Sequence, residues 1–317
     1  MIIHTHIKII HRKLLLIVLW LVVSNIHAQQ QPIYTQYMFN MLAINPAYAG
    51  SHEALGATAL FRKQWVGIPG APQTTTLGVE APANNDWIGL GLQLFNDQIG
   101  VEKTTGIVTS YAFRMHVTSE EDELAMGVQF GASNFSADYT KVDLIYMNDP
   151  SFAGNVVNVW LPSFGAGFYY HNDHFYAGLS APNLLTSALK NKSVVTQSAV
   201  SAIQTTHFFF TTGYVIDLNE DLKLKPSVLV KAVAGAPIQT DINANLWIND
   251  IISVGASYQT GSAVSGMLEV MLTPQLRIGY AYDRSINGLG VFNQGSHEVM
   301  LRLELKNNDK VSHPRYF

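Results

Sequence analysis

The sequence contains no cysteine, and this absence excludes a group of mechanisms. Disulfides, thiolate nucleophiles and cysteine metal sites all need that side chain. Charged residues make up only 13% of the chain, about half the ~25% of a typical soluble domain. So few charges would leave the surface of a soluble protein poorly solvated. The net charge of −4 gives no basis for a nucleic-acid partner.

Long apolar runs are also missing from most of the chain. After residue 28, no stretch reaches the ~18 unbroken apolar residues of a transmembrane helix. Before it, Lys8, Arg12 and Lys13 precede the apolar stretch 14–23, and residues 24–28 follow and end in the small residue Ala28. This pattern is typical of a signal peptide, here residues 1–28 with cleavage near Ala28. A membrane anchor is the alternative, although the stretch is short for a hydrocarbon core of ~30 Å.

Period-two alternation is the main pattern that the sequence does contain. Between Gln239 and Trp247, apolar residues such as Ile242 and Leu246 alternate with polar ones. Such alternation predicts strands, because successive side chains leave a sheet on opposite faces. Pro226 lies within one of these segments, where its missing N–H predicts an irregular ladder. We count fourteen candidate strands: 54–64, 73–81, 87–95, 103–116, 122–133, 163–170, 174–181, 205–216, 221–233, 238–247, 250–260, 264–272, 275–283 and 295–305.

The predicted fold class is all-β, a transmembrane antiparallel β-barrel of about 14 strands over residues 54–305. Only helices and closed barrels satisfy the backbone in lipid, so a membrane protein without long apolar helices must be a barrel. A soluble antiparallel sheet with one wet face is the alternative. If the first strand rises from the periplasm, the longest connections (134–162, 182–204 and 284–294) all fall outside, as outer-membrane barrels require. This topology places the tail, residues 306–317, in the periplasm.

Residues 29–53 form a separate N-terminal segment with an apolar stripe at helical spacing that Asn45-Pro46 ends. The stripe comprises Tyr34, Tyr37, Met38, Met41 and Leu42. We expect a short helical segment that caps a barrel mouth, as a periplasmic or plug segment. A helix that binds a partner is the alternative.

Charged side chains of both signs fall on the inward phase of the predicted strands. Mixed signs favour internal ion pairs, whereas a selectivity ring normally carries one sign. The candidate lumen-facing residues are Arg114, Lys231, Asp241, Glu269, Arg277, Arg302 and Glu304, with Glu123 and Lys223 on the same phase.

The longest outer loop carries aromatic residues that could contact a partner, or could fold inward as a plug. The candidate partner contacts are Tyr139, Tyr146, Phe152 and Trp160.

Catalytic patterns are absent from the sequence. No Gly-x-Ser-x-Gly elbow, His-Glu-x-x-His motif or P-loop occurs. Ser296 and His297 are adjacent, so on a strand they point to opposite faces and cannot act as a pair. His171 and His174 flank a predicted hairpin with Asp173, which is more typical of solvated turn residues than of a metal site. We expect no enzymatic activity, no cofactor and no metal.

Several short stretches resemble the PorP/SprF family of type IX secretion outer-membrane proteins of Bacteroidetes. They are Gln36-Tyr37-Met38, Asn45-Pro46-Ala47-Tyr48-Ala49-Gly50-Ser51, Arg62-Lys63-Gln64-Trp65-Val66-Gly67, Gly70-Ala71-Pro72-Gln73-Thr74, Phe95-Asn96-Asp97-Gln98-Ile99-Gly100, Trp160-Leu161-Pro162, His297-Glu298 and Pro314-Arg315-Tyr316-Phe317. The resemblance implies a non-enzymatic outer-membrane barrel that works in type IX secretion and gliding motility.

The resemblance also implies partners. Some members receive or anchor a large secreted adhesin or effector through its C-terminal secretion domain, and others sit with periplasmic secretion and motor components. Outer-membrane lipid is the remaining expected partner. Two other functions stay open on the sequence: an outer-membrane diffusion porin or hydrophobic-solute channel, and an exported soluble β-sandwich binding module.

Overall fold

The computed structural model describes residues 34–52, 54–83, 87–118, 122–141, 156–185, 206–234 and 236–305. These residues form one antiparallel sheet of fifteen strands. The strands are β1 (Leu55–Lys63), β2 (Gln73–Ala83), β3 (Ile88–Ile99), β4 (Glu102–His116), β5 (Glu123–Ala137), β6 (Val156–His171), β7 (Phe175–Ala181), β8 (His207–Tyr214), β9 (Ile216–Asp217), β10 (Leu222–Val233), β11 (Gln239–Ile248), β12 (Ile252–Gln259), β13 (Ala263–Thr273), β14 (Leu276–Ser285) and β15 (Ser296–Leu305).

The sheet closes on itself. Strand β1 pairs with β2 on one side and with β15 on the other, and β10 pairs with β11. Strands β8 and β9 both pair with β10, so together they make one strand of the wall with a break at Val215. The closed wall therefore has fourteen antiparallel strands, and the predicted barrel is confirmed.

The break between β8 and β9 lies where the sequence predicts an irregular ladder. Pairing with β10 lapses between Ser227↔Gly213 and Leu224↔Ile216. Pro226 lies in this gap, and proline has no N–H to donate across the ladder. On its other side Pro226 pairs with Ala244 in unbroken register. The irregularity is thus confined to the neighbouring strand.

The alternation sorts apolar side chains outward and polar ones inward. On β11, Ile242 is exposed, whereas Asp241, Asn243 and Asn245 are buried. A continuous apolar outer face would be unfavourable in water, but it matches the hydrocarbon band around a membrane barrel. Among the described residues, no helix is long and apolar enough to cross a bilayer.

The connections differ between the two ends of the barrel. At one end, here called the long-loop end, the strands are joined by 64–72, 100–101, 138–155, 182–206, 234–238, 260–262 and 286–295. At the other, the short-turn end, they are joined by 84–87, 117–122, 172–174, 218–221, 249–251 and 274–275. One correction concerns the predicted loop 134–162. Strand β5 continues to Ala137 and β6 begins at Val156, so residues 134–137 and 156–162 belong to strands.

Residues 34–52 lie inside the barrel, and we call them the lumen segment. Phe39 packs against Trp247 of β11, while Ala47 packs against Gly127 of β5 on another side of the wall. The segment is made of three short 3-10 turns, Tyr37–Phe39, Met41–Ala43 and Pro46–Tyr48, rather than one continuous helix. The segment also does not cap a mouth of the barrel, because its stripe of apolar residues is buried in the interior that the wall encloses.

The local sequence explains why the lumen segment turns repeatedly. The side chain of Asn45 accepts a hydrogen bond from the N–H of Ala47, and Pro46 takes the first position of the third turn. Proline there loses no helical hydrogen bond, but it ends any helix that arrives from before it. Many backbone groups of the segment are paired within its short turns, and several of the others are bound by side chains of the wall.

Candidate functional site

The interior of the barrel is the first part of the site, and a buried charge cluster fixes the start of the lumen segment there. Arg62 on β1 donates to Asp283 Oδ2 on β14 at 2.6 Å and to Glu298 Oε2 on β15 at 2.9 Å. Glu298 also accepts from the backbone N–H of Thr35 at 2.9 Å and of Gln36 at 2.8 Å. The Thr35 hydroxyl donates to Asp283 at 2.8 Å. We call this cluster the latch.

The charged groups of the latch do not cancel on their own. It holds one cation and two carboxylates, and Glu298 is fully buried. The additional negative charge is met by the N–H groups and the hydroxyl of the lumen segment. Buried ionised groups are tolerated when opposite charges and hydrogen bonds compensate them, and here only the Nε of Arg62 has no partner among the atoms of the three charged side chains. The segment is therefore part of the electrostatic balance of the wall, not only a filler of space.

Further along the lumen segment, side chains of the wall bind its backbone. Arg302 Nη1 donates to the carbonyl of Phe39 at 3.1 Å, and Ser180 Oγ donates to the carbonyl of Ile44 at 2.6 Å. Arg114 donates to the carbonyl of Ala49. Since these groups come from separate strands, the segment is held across the whole width of the barrel.

Glycines of the wall make room for the close approach of the lumen segment. A Cβ added at Gly89 would collide with the carbonyl of Ala49, and one at Gly127 would collide with the backbone of Ala47. Glycine is the residue used where another backbone must approach closely. The wall thus carries a glycine lining that matches the path of the segment.

The predicted lumen-facing residues are buried or half-buried, and most of them pair across neighbouring strands. Lys231 bonds Asp241 at 2.6 Å. The other contacts are Arg277 with Glu269 at 3.0 Å, Arg302 with Glu304 of the same strand at 2.7 Å, and Arg114 with the lumen segment. Glu123 lies 3.2 Å from His171, which the sequence placed among solvated turn residues but which is buried as the last, inward-facing residue of β6. In the described ranges, the ionic pairs join opposite signs, and no group of three His, Asp or Glu side chains is arranged to hold a metal.

The predicted partner contacts have different positions. Tyr139 is buried in a small cluster with Phe135, Ala137 and Leu161 rather than exposed. Trp160 is 64% exposed, but it lies on β6 and shares the outward phase of Phe168. Aromatic residues at this position are typical of the girdle of a membrane barrel. Tyr146 and Phe152 lie outside the described residues.

A second exposed surface at the long-loop end was not singled out from the sequence. In the β14–β15 connection, Val291 is 84% exposed and Phe292 is 73% exposed, with Ile286 and Leu289 also exposed. We call these four residues the apolar loop face. These residues lie outside the alternating strands, and Gly288 and Gly290 interrupt their run. The spacing of apolar residues therefore did not mark this loop as a surface. A run of apolar residues in a polar-rich connection was the only available sign.

The backbone of this loop is fixed by hydrogen bonds. Asn293 Nδ2 donates to the carbonyl of Leu289, and Arg284 Nη1 donates to the carbonyl of Asn293 at 3.2 Å. The loop also pairs with the β1–β2 connection, where the Val66 N–H donates to the carbonyl of Gly295 at 2.8 Å. A fixed loop that presents apolar side chains loses little conformational entropy when it binds.

Comparisons with known proteins give one family match and several distant structural likenesses. The family described as type IX secretion system membrane protein PorP/SprF matches residues 26–303. No curated protein matches the chain significantly. Among solved structures, Omp33 of Acinetobacter baumannii is similar with a TM-score of 0.46 and 8% identity, covering 80% of this chain and 99% of that one. The KdgM porin gives 0.39 and 9%, covering 79% and 99%. A mutant of the Rh. blastica porin gives 0.35 and 11%, covering 80% and 99%.

The family match extends from before the lumen segment almost to the end of β15, so it includes the wall, the latch and the apolar loop face. The barrel has the outward apolar face of an outer-membrane protein. The chain therefore belongs to the PorP/SprF family, and it is an outer-membrane β-barrel component of type IX secretion.

Proposed function

We propose that this protein is a closed docking barrel which receives or anchors a secreted adhesin or effector through its C-terminal secretion domain. The observation that carries the proposal is the occupied interior. The lumen segment is bound to wall strands on several sides, and its apolar residues are almost completely buried. A barrel filled in this way leaves no open path for solutes through its centre, so its function is assigned to the loops at its ends.

The apolar loop face supports docking at the long-loop end. Long loops of outer-membrane barrels face the cell surface, where a secreted partner is held. Phe292 and Val291 are large apolar side chains on a fixed backbone, and burial of each would contribute ~1.5–3 kcal/mol. Of the aromatic residues predicted as partner contacts, we propose that Tyr146 and Phe152 contact the same partner, whereas Trp160 faces outward from β6 and Tyr139 is buried in its cluster.

The short-turn end is proposed to face the periplasmic secretion and motor components. Its connections are short, and the C-terminal strand β15 ends there at Leu305. Residues 306–317 follow and supply a tail for such contacts. Outer-membrane lipid surrounds the apolar outer face between the two ends.

A detergent pull-down from the native envelope tests the docking role. The wild-type protein should recover a large secreted protein through its C-terminal domain. The double variant Val291→Ser/Phe292→Ser should recover at least ~10-fold less, as expected when a central apolar contact worth ~1.4 kcal/mol or more is removed. Leu218→Ser is the control, since Leu218 is an exposed apolar residue at the short-turn end, away from the proposed surface. Equal recovery by all three proteins would refute the proposed surface.

Conductance in planar bilayers tests the alternative of a diffusion porin. The purified barrel should show no large steady current, because the lumen segment occupies the interior. A large steady current from the wild-type protein, with residues 34–52 verified as present by mass spectrometry, would favour the porin and refute a closed barrel.

A further inference from the structure

We propose that the mature N-terminus emerges at the long-loop end, on the cell surface, so that the chain passes down through the barrel before β1 begins. The long-loop end is taken as the outer face, as the asymmetry of outer-membrane barrels indicates. The sequence placed residues 29–53 in the periplasm or in a plug. The lumen segment runs from one end of the barrel to the other, so its first and last residues lie near opposite sides of the membrane.

The start of the lumen segment lies near the long-loop end. Tyr34 Oη is 2.5 Å from Thr76 Oγ1, and β2 begins at Gln73 at this end. Thr35 bonds Asp283 and Glu298. Strand β14 ends at Ser285, and β15 begins at Ser296, both at this end. At ~3.3 Å per residue, these partners lie ~7–10 Å below the ends of their strands.

The end of the lumen segment lies at the short-turn end. Gly50 N–H donates to Glu80 at 3.0 Å, close to the end of β2 at Ala83. His52 Nδ1 is 3.8 Å from Glu304 Oε1, beside the last residue of β15. Strand β1 then starts at Leu55 and runs back to the long-loop end. The segment therefore descends the lumen once, in the direction opposite to β1.

The length of the chain before Tyr34 decides where the N-terminus can lie. With cleavage near Ala28, residues 29–33 span at most ~17 Å when fully extended. The long-loop mouth is ~10 Å from Thr76 along β2, whereas the short-turn end at Ala83 is ~23 Å away at ~3.3 Å per residue. Residues 29–33 are therefore long enough to reach the long-loop mouth and too short to reach the short-turn end. The lumen segment itself also occupies the way to the short-turn end.

Cysteine labelling in intact cells tests this topology, since the natural chain has no cysteine to interfere. The test variant is Gln31→Cys, treated with a membrane-impermeant maleimide. Val291→Cys marks the long-loop end, and Glu220→Cys, at an exposed position, marks the short-turn end. We expect Gln31→Cys and Val291→Cys to react in intact cells, and Glu220→Cys to react only after the outer membrane is permeabilised.

Three results would overturn the proposal. The first is reaction of Gln31→Cys only after permeabilisation, as for Glu220→Cys, or in neither state. The second is reaction of Val291→Cys only after permeabilisation, which would turn the long-loop end to the periplasm. The third is a retained leader in the mass of the purified protein. Heat-modifiable migration on gels verifies that each variant is a folded barrel, and an epitope inserted after Gln31, detected by antibody on intact cells, repeats the test without a cysteine.

Discussion

Replacement of Arg62 by methionine should destabilise the barrel strongly. The change removes the cation that pairs with two buried carboxylates, Asp283 and Glu298. Breaking a buried ion pair by removing one partner typically costs ~3–5 kcal/mol, because a charge remains without compensation. Thr35 and Gln36 still donate to these carboxylates, and each charge-assisted bond retains ~1.5–3 kcal/mol. We therefore expect a loss of ~3–4 kcal/mol, near the lower half of that range.

Urea unfolding in detergent micelles, followed by the gel mobility shift between folded and unfolded forms, measures this loss. The double variant Arg62→Met/Glu298→Gln is the matched control. Its glutamine oxygen can accept from only one of the two N–H groups, because Thr35 and Gln36 bind different oxygens of Glu298. The variant therefore removes one uncompensated charge but leaves one N–H without its acceptor, and it should recover part of the lost stability. A single variant within ~1 kcal/mol of the wild type would refute the argument that the latch is a dry, balanced cluster.

Three further predictions follow from the lumen and the loops. Gly127→Leu should displace the lumen segment and raise the sensitivity of intact cells to a bulky antibiotic, whereas Gly266→Leu, where an added side chain meets nothing within 4 Å, should not; equal sensitivity would contradict the close packing. Lys231→Met should lower the free energy of unfolding by ~3 kcal/mol through the unbalanced Asp241, and Lys231→Met/Asp241→Asn should regain most of it in the same urea assay. Phe292→Ser should change stability by less than ~0.5 kcal/mol while it weakens recovery of the secreted partner; a large loss of stability would make the residue structural.

The wall of the barrel was predictable because a single physical rule governs it. A strand between lipid and a polar interior must alternate, and this alternation is visible wherever both environments are continuous, as from Gln239 to Ile248. The predicted strands correspond one to one with those of the wall. The largest errors were at β5 and β6, which run to Ala137 and from Val156. There apolar Phe135 and Ala137 are buried on the inward phase, so the sorting of apolar side chains to the outside no longer marks the strand.

The interior was less predictable because its contacts join distant parts of the chain. The apolar spacing of the lumen segment indicated a helix, yet the segment forms short 3-10 turns. Arg302, Ser180 and Arg114 from distant strands bind carbonyls of these turns, and no local pattern shows these contacts. The latch was also missed. In the sequence, Arg62 and Glu298 are single charged residues on the first and last strands. No local sequence pattern shows that the two strands pair and bring them together.

Arg62 and Glu298 face each other directly in the register of β1 and β15, the first and last strands of the wall. The latch therefore spans the seam at which the barrel closes, and the lumen segment supplies some of the hydrogen bonds that make this closure favourable. Closing the seam joins residues 236 positions apart, the kind of non-local contact that forms late and slowly. A barrel that closed without its N-terminal segment would bury carboxylates lacking part of their hydrogen-bond partners. The seam thus couples completion of the wall to correct filling of its interior, so that an empty barrel remains easier to reopen than a filled one.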